Sequence, residues 1–227
     1  MFKKYFDFYV LYKPREGWAR LSQKNLKLKD LYLYLVLWMA LIPPIGHLLG
    51  FTVFKNQYIT SIQSFLEMAK KDTEQNPKTV EYMEALLRAL TDNNLNTEIT
   101  VAVVTWIFEI FKPLVLAGVI FFLAGAFKGE RDFNKAFLIA VYSLIPTWIA
   151  GIFYVVNSPL TMIVLFSASF YSFYLIFTAA DSVLKIPTEG SKHFQFIILV
   201  ILLYLVISGI IGQVETTITY KILVSSA

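Results

Sequence analysis

Long apolar segments alternate with shorter polar ones along most of this chain. Five of them are long enough, at about 20 residues, to cross the roughly 30 Å hydrocarbon layer of a bilayer. The predicted spans are residues 31–54, 101–127, 137–156, 160–180 and 194–212. Only Asn157, Ser158 and Pro159 separate the third span from the fourth, which indicates a tight helical hairpin. We therefore predict an all-α integral membrane bundle of five transmembrane helices over residues 31–214.

The longest polar segment, residues 55–100, carries two helical patterns of its own. Apolar residues recur at spacings of three and four over 59–69 and again over 80–90. Asn76 followed by Pro77 supplies a cap and a first-turn proline for the second helix. These patterns predict a small extracytoplasmic helical cap on the outer ends of the spans.

Residues 1–30 precede the first span and mix aromatic with basic side chains. From Phe2 to Tyr12 the aromatic residues fall on one side of a helix, which is typical of an amphipathic helix in the headgroup layer. Trp18 is a further candidate interfacial anchor. We predict an N-terminal interfacial helix in a cytoplasmic segment that binds anionic lipid. The candidate lipid-binding residues are Lys3, Lys4, Lys13, Arg15 and Trp18.

The composition places the core of this protein in lipid. Hydrophobic residues make up 57% of the chain and charged residues 16%, whereas soluble domains average about 45–50% and about 25%. The net charge of +4 is concentrated in residues 1–30 and in short loops. We attribute this charge to membrane orientation and expect no nucleic-acid partner.

The distribution of lysine and arginine predicts the orientation. Thirteen lie on the side that holds residues 1–30 and the loops 128–136 and 185–193, and six lie on the other side. Because basic residues are enriched in cytoplasmic loops, we predict a cytoplasmic N-terminus and an extracytoplasmic tail at residues 215–227. Residues 1–30 lack the pattern of a signal peptide. The expected location is the inner (plasma) membrane, as a multi-pass protein.

Three stretches resemble one family of polytopic membrane proteins. Residues 12–18, YKPREGW, are similar to its K-P-x-x-x-W stretch, and residues 140–152 carry its Tyr-Ser-x-x-Pro-x-Trp-x-Ala-Gly pattern. Residues 171–175 lead through 185–187 into the last span, as in the same family. The family is the Yip family of Ypt/Rab GTPase-interacting proteins, in its bacterial and archaeal branch. Its third-span motif falls on Tyr142, Ser143, Pro146, Trp148 and Gly151.

This resemblance implies a membrane fold and a membrane location, but no reaction. The acidic N-terminal motifs that eukaryotic members use with Rab GTPases are absent from this chain. That partner class is therefore not expected here.

A few ionisable residues in or at the ends of the spans form a candidate intramembrane polar site. Glu109 and Lys112 share one face of the second span, and a charge at the bilayer centre costs about 2.5–3.5 kcal/mol. They are either a structural ion pair or part of a polar pathway. His47 and Asp181 complete the candidate site, although a buried or interfacial histidine and an Asp181–Lys185 ion pair are the favoured interpretations.

The function classes that remain are binding and transport. The chain has no cysteine, phosphate-binding loop, nucleophile elbow or zinc signature, so we expect no enzyme, catalytic residue, metal or cofactor. The favoured hypothesis is a membrane scaffold or adaptor that organises lipid or recruits a membrane protein or a second copy of itself. The alternative is a small transporter or channel that uses Glu109, Lys112 and His47 near proline-kinked helices.

Overall fold

The structure is a computed structural model that describes residues 5–24, 26–71, 77–92, 94–188 and 191–225. Over these residues the regular structure is helical and contains no strand. In chain order the helices are α1 (Tyr9–Tyr12), α2 (Pro14–Ser22), α3 (Leu28–Val53), α4 (Lys55–Lys71), α5 (Pro77–Thr91), α6 (Leu95–Ala126), α7 (Phe133–Ala150), α8 (Pro159–Ser182) and α9 (Lys192–Ser225). Five of the described helices, α3 and α6 to α9, are long and apolar enough to cross a membrane. The predicted all-α membrane bundle of five spans is confirmed.

Helix α7 lies at the centre of the bundle. Twelve of its 18 residues are buried, whereas α8 and α9 leave most of their apolar surface exposed. Helix α7 packs against α6 and α8, and residues of α3 reach it as well. The exposed apolar faces of α8 and α9 are those that lipid would cover.

Helix α3 is interrupted where its prolines begin. A π-helical turn at Tyr32–Val36 and a break at Ala40 and Leu41 precede Ile42, so Pro43 falls in the first turn of the resumed helix, where its missing N–H costs nothing. A neighbouring helix satisfies a carbonyl that this break frees, because the Trp106 indole donates to the Leu37 oxygen at 3.2 Å.

The two ends of the bundle differ, and we name them by their contents. The basic end holds residues 5–30, the loop 127–132 and residues 183–188, and the capped end holds α4, α5 and the last turns of α9. At the basic end, Glu130 pairs with Lys135 and Lys185, and these hydrogen bonds lower the pKa of Glu130 to about 2. Lys185 therefore pairs with Glu130, and the favoured Asp181–Lys185 pair is wrong.

Both amphipathic helices predicted within residues 55–100 are present, as α4 and α5. Pro77 opens α5 as predicted, while Asn76 lies outside the described residues. The apolar faces of the two helices pack on each other and on Phe51 of α3.

Two helices are longer than their apolar segments predict. Helix α6 begins at Leu95 and α9 continues to Ser225, through most of the predicted tail at 215–227. The extension of α9 is stabilised by Leu223, which packs against Ala85 and Ala89 of α5. Hydropathy alone misses such turns, because contact with the cap and not with lipid sustains them.

The N-terminal segment does not form the single amphipathic helix predicted from Phe2 to Tyr12. The described part contains the short α1, then α2. The chain breaks at Lys13 because a residue before proline is sterically disfavoured in the helical region, and Lys13 is extended at φ −134° and ψ 78°.

Replacement of Gly151 by alanine is expected to destabilise the bundle. A Cβ at this position would lie 2.6 Å from Cγ of Pro43, and overpacking of this kind costs about 1–3 kcal/mol. Differential scanning fluorimetry in detergent should give a melting temperature lower by roughly 3–9 °C. The matched control is Gly118→Ala, since nothing lies within 4 Å of that Cβ. Equal melting temperatures for the two variants would contradict the close packing.

Candidate functional site

Glu109 is a buried carboxylate within the apolar helix α6. Its side chain is buried, with the whole residue 8% exposed, and both oxygens have partners. Oε1 pairs with the Lys112 ammonium, and Oε2 accepts a hydrogen bond of 3.0 Å from the Trp148 indole of α7. A buried charge is tolerated when it is paired and hydrogen-bonded in this way.

Polar residues continue from this pair towards the capped end. On α6 they recur at spacings of seven, four and three residues, and on α9 at spacings of four, seven and four, so each set occupies one helical face. Helices α6 and α9 are in extensive contact. We call this interface the polar seam; its residues are Glu98, Thr105, Glu109 and Lys112 of α6 with Tyr204, Ser208, Glu215 and Thr219 of α9.

A cavity of about 150 Å³ lies at the capped end of the polar seam. His47, stacked on the Tyr154 ring at 4.0 Å, lines it from α3, and Tyr82 lines it from α5. Glu98 and Glu215 line it from α6 and α9. The cavity is therefore built from three spans and the cap.

The structure brings together three of the four residues of the predicted intramembrane site. Lys112 pairs with Glu109 and interacts electrostatically with His47, but of these only His47 lines the cavity. Asp181 is exposed at the basic end, where its Oδ1 accepts from the Ser182 N–H at 2.8 Å.

Sequence reasoning missed Glu98 and Glu215 because both lie beyond the apolar runs. Glu98 lies about three helical turns before Glu109, so the sequence could have placed both residues on one face of the helix. The position of Glu215 against α6 was not readable, since it depends on how α9 packs.

Trp18 is buried within the protein and not in lipid. It is 0% exposed, and its indole N–H lies 3.1 Å from both the Leu175 oxygen and Oγ1 of Thr178 on α8. Its ring also meets Tyr142 edge-on at 6.4 Å. The prediction that Trp18 anchors the chain in the headgroup layer is therefore contradicted, and the residue instead holds α2 against the bundle.

The other face of the N-terminal segment is basic. We call it the basic platform; its exposed residues are Lys13, Arg15, Arg20, Lys27 and Lys29. Lys3 and Lys4, two of the predicted lipid-binding residues, lie outside the described residues. Below the platform, burial opposes ionisation of Asp7, but its contacts with Lys24 and Arg20 lower the pKa of Asp7 below its ordinary value. Through these contacts Asp7 joins Arg20 of the platform to Lys24.

A second cavity, of about 400 Å³, separates this segment from the start of α7. Lys24 and Lys27 line it on one side, and Asp132, Asn134 and Lys135 line it on the other. Lys24 and Lys135 of this lining are already paired, with Asp7 and Glu130 respectively, whereas Lys27 is exposed.

The third-span motif supplies contacts between elements. The Tyr142 hydroxyl donates to the Tyr5 oxygen at 2.7 Å, Trp148 donates to Glu109, and Gly151 allows the approach of Pro43. Pro146 lies inside α7. The Ser143 hydroxyl is buried without a hydrogen-bond partner among the described residues, and nothing in the structure explains this choice of residue.

Neutralising Glu109 alone is expected to destabilise the protein more than neutralising the whole pair. Glu109→Gln leaves Lys112 without its counter-charge, and breaking a buried pair costs about 3–5 kcal/mol when the remaining charge stays buried. The double variant Glu109→Gln with Lys112→Gln should recover most of the loss in melting temperature. Lys13→Gln with Glu16→Gln removes an exposed pair at the same spacing and should change little. Additive effects of the Glu109 and Lys112 substitutions would contradict this coupling.

Comparison with known proteins is consistent with the geometry above. The family model of the Yip1 domain matches residues 8–210. No curated protein and no solved structure matches the chain significantly. The matched range includes α2 with Trp18, all of α7 and the Glu109 pair. This chain therefore belongs to the Yip1 domain family of membrane proteins.

Proposed function

We propose that this protein is a non-enzymatic membrane scaffold or adaptor, whose basic platform binds anionic lipid headgroups and presents a fixed docking face to a partner. The observation that carries the proposal is the burial of Trp18 beneath exposed cations. A buried indole with two hydrogen-bond acceptors fixes α2 on α8. The basic side chains of α2 then have defined positions relative to the bundle.

The charge of the platform favours anionic lipid as the first ligand. Arg15 and Lys27 are exposed, and each basic residue near an anionic membrane surface contributes about 1 kcal/mol to binding. The neighbouring cavity of about 400 Å³ is also lined by Lys27, one of the exposed cations of the platform. Fixed charges and hydrogen-bond donors of this kind suit the binding of a ligand rather than catalysis.

The proposed orientation places the basic end in the cytoplasm of a cell whose inner membrane holds the bundle. Support comes from the distribution of lysine and arginine, which gather at the basic end. The cap and the end of α9 would then lie outside.

The transporter alternative has weaker support from the packing. The polar seam ends at Lys112, and the next turns of α6 towards the basic end bury Leu116, Ile120 and Ala124. Helix α9 adds the buried Phe196 and Val200 at the same end. An apolar layer of this kind separates the cavity at the capped end from the basic end, as expected of a binding site open on one side.

Neutralising the platform is expected to remove bound anionic lipid without unfolding the bundle. The variant combines Lys13→Gln, Arg15→Gln and Lys27→Gln, which together remove about 3 kcal/mol of attraction to an anionic surface. Phosphatidylglycerol retained by the purified protein, counted by mass spectrometry, should fall severalfold at an unchanged melting temperature.

The matched control removes three exposed charges from the capped end, with Lys78→Gln, Arg88→Gln and Lys221→Gln. This variant should retain phosphatidylglycerol as the wild type does. Equal retention by the platform variant and the wild type would refute the proposal.

The absence of cysteine from the chain allows a direct test of orientation. Ser22→Cys and Ser225→Cys replace exposed serines at the basic and capped ends; each hydroxyl bonds the carbonyl three residues earlier. A membrane-impermeant maleimide should label position 225 in intact spheroplasts, and position 22 only after permeabilisation. The reverse pattern would overturn the orientation.

A further inference from the structure

The cavity at the capped end has a lining that the proposed scaffold function does not use. Its lining combines the rings of His47, Phe51 and Tyr82 with the carboxyl groups of Glu98 and Glu215. Three aliphatic residues and three threonines complete it: Leu48, Val101, Ala102, Thr105, Thr216 and Thr219. Thr216, one of these, is exposed, so the cavity reaches the surface of the bundle.

Glu98 is the acidic group of this lining that is buried without a direct partner among the described residues. It is 7% exposed, yet within the described part of the chain no group hydrogen-bonds to its carboxylate and no lysine or arginine lies within 4.0 Å of it. Lys55 acts on it electrostatically from a greater distance. A buried carboxylate is costly unless it is paired, so a cation in the cavity would stabilise the ionised form of Glu98.

Lys112, the cation that interacts with His47 and Glu215 of the lining, is already engaged. Lys112 pairs with Glu109, while Glu215 interacts with the Thr105 hydroxyl and with Lys112 at longer range. Burial, with a further contribution from Glu215, raises the pKa of Tyr82, so its hydroxyl stays neutral. Among the described residues, the lining therefore holds two acidic side chains and no lysine or arginine.

We propose that this cavity binds a primary ammonium group, with Glu98 and Glu215 as its counter-charges and the rings of Phe51 and Tyr82 against its alkyl part. Its volume of about 150 Å³ is that of a few heavy atoms, since one water occupies about 30 Å³. Aromatic rings attract ammonium groups through their negatively charged faces. The pattern of carboxylates and rings matches that chemistry.

A metal ion fits the lining less well. Calcium requires six to eight oxygen ligands, and among the described residues no group of three or more His, Asp or Glu is placed to hold a metal ion. The two carboxylates stand beside aromatic rings, which do not ligate such ions.

The ammonium group can come from a lipid headgroup or from a free amine. Counted at about 1.5 Å per residue, Glu215 lies about 35 Å along α9 from Lys192, beyond the roughly 30 Å of hydrocarbon. The cavity is thus at headgroup depth, which an ethanolamine headgroup reaches as readily as a soluble amine does.

The test measures the melting temperature of the full chain in phosphatidylcholine nanodiscs. In one arm ethanolamine hydrochloride is titrated against sodium chloride of equal ionic strength, and in the other phosphatidylethanolamine replaces part of the lipid. A rise in either arm supports the ammonium site, and the arm that responds identifies the source. No rise in both arms would overturn it.

Two variants connect the response to this cavity. Glu98→Gln should weaken ethanolamine or phosphatidylethanolamine binding at least tenfold, while the melting temperature of the ligand-free variant equals or exceeds that of the wild type. Glu215→Gln should weaken binding as well, and the exposed Glu67→Gln on α4 should leave it within twofold. An unchanged response in Glu98→Gln, or a ligand-free melting temperature below that of the wild type, would overturn the assignment.

Discussion

The enclosure of α7 by other protein elements is the constraint on which the rest of this structure depends. A helix surrounded by protein finds the partners of most of its polar groups within the protein, because neither water nor lipid headgroups reach it. Tyr142 therefore donates to the N-terminal segment, and Trp148 donates to Glu109 of α6. Gly151 lets α3 approach the end of α7. Helix α7 and the glycine after it thus position three other elements, which accounts physically for Tyr142, Trp148 and Gly151 in the third-span motif of this Yip1 domain protein.

The two ends of the bundle have opposite chemistry because different elements close them. At the basic end a short amphipathic segment is locked down by Trp18 and leaves its cations exposed. At the capped end α5 covers the extended ends of α6 and α9 and encloses carboxylates between them. The apolar turns around Leu116 and Ile120 separate the two ends. No polar path therefore joins the two ends through these turns of α6 in the described part of the chain.

Much of the fold was readable from hydropathy and spacing. The five spans and both helices of the cap follow from patterns that each segment carries by itself, and the stretches around Trp18 and Trp148 indicated the family. The candidate site was only partly readable. Glu109 and Lys112 share a helix, so their pairing followed from spacing, but Lys185 pairs across a loop with Glu130, which no local pattern encodes. The burial of Trp18 was missed because its acceptors lie on α8, more than 150 residues away.

The sequence by itself determined which segments of this protein are helical, which of them can enter a bilayer, and where its basic charge is concentrated. Those properties depend on neighbours within a few turns of the same helix, since apolar length and side-chain periodicity are local. Tertiary structure decided which helix lies at the centre, which aromatic residue is buried in protein, and which carboxylates share a cavity. These outcomes depend on contacts between distant elements, because either lipid or protein can cover an apolar span, and the local sequence does not distinguish the two. The packing of α7 against its neighbours decides that protein, and not lipid, covers this helix.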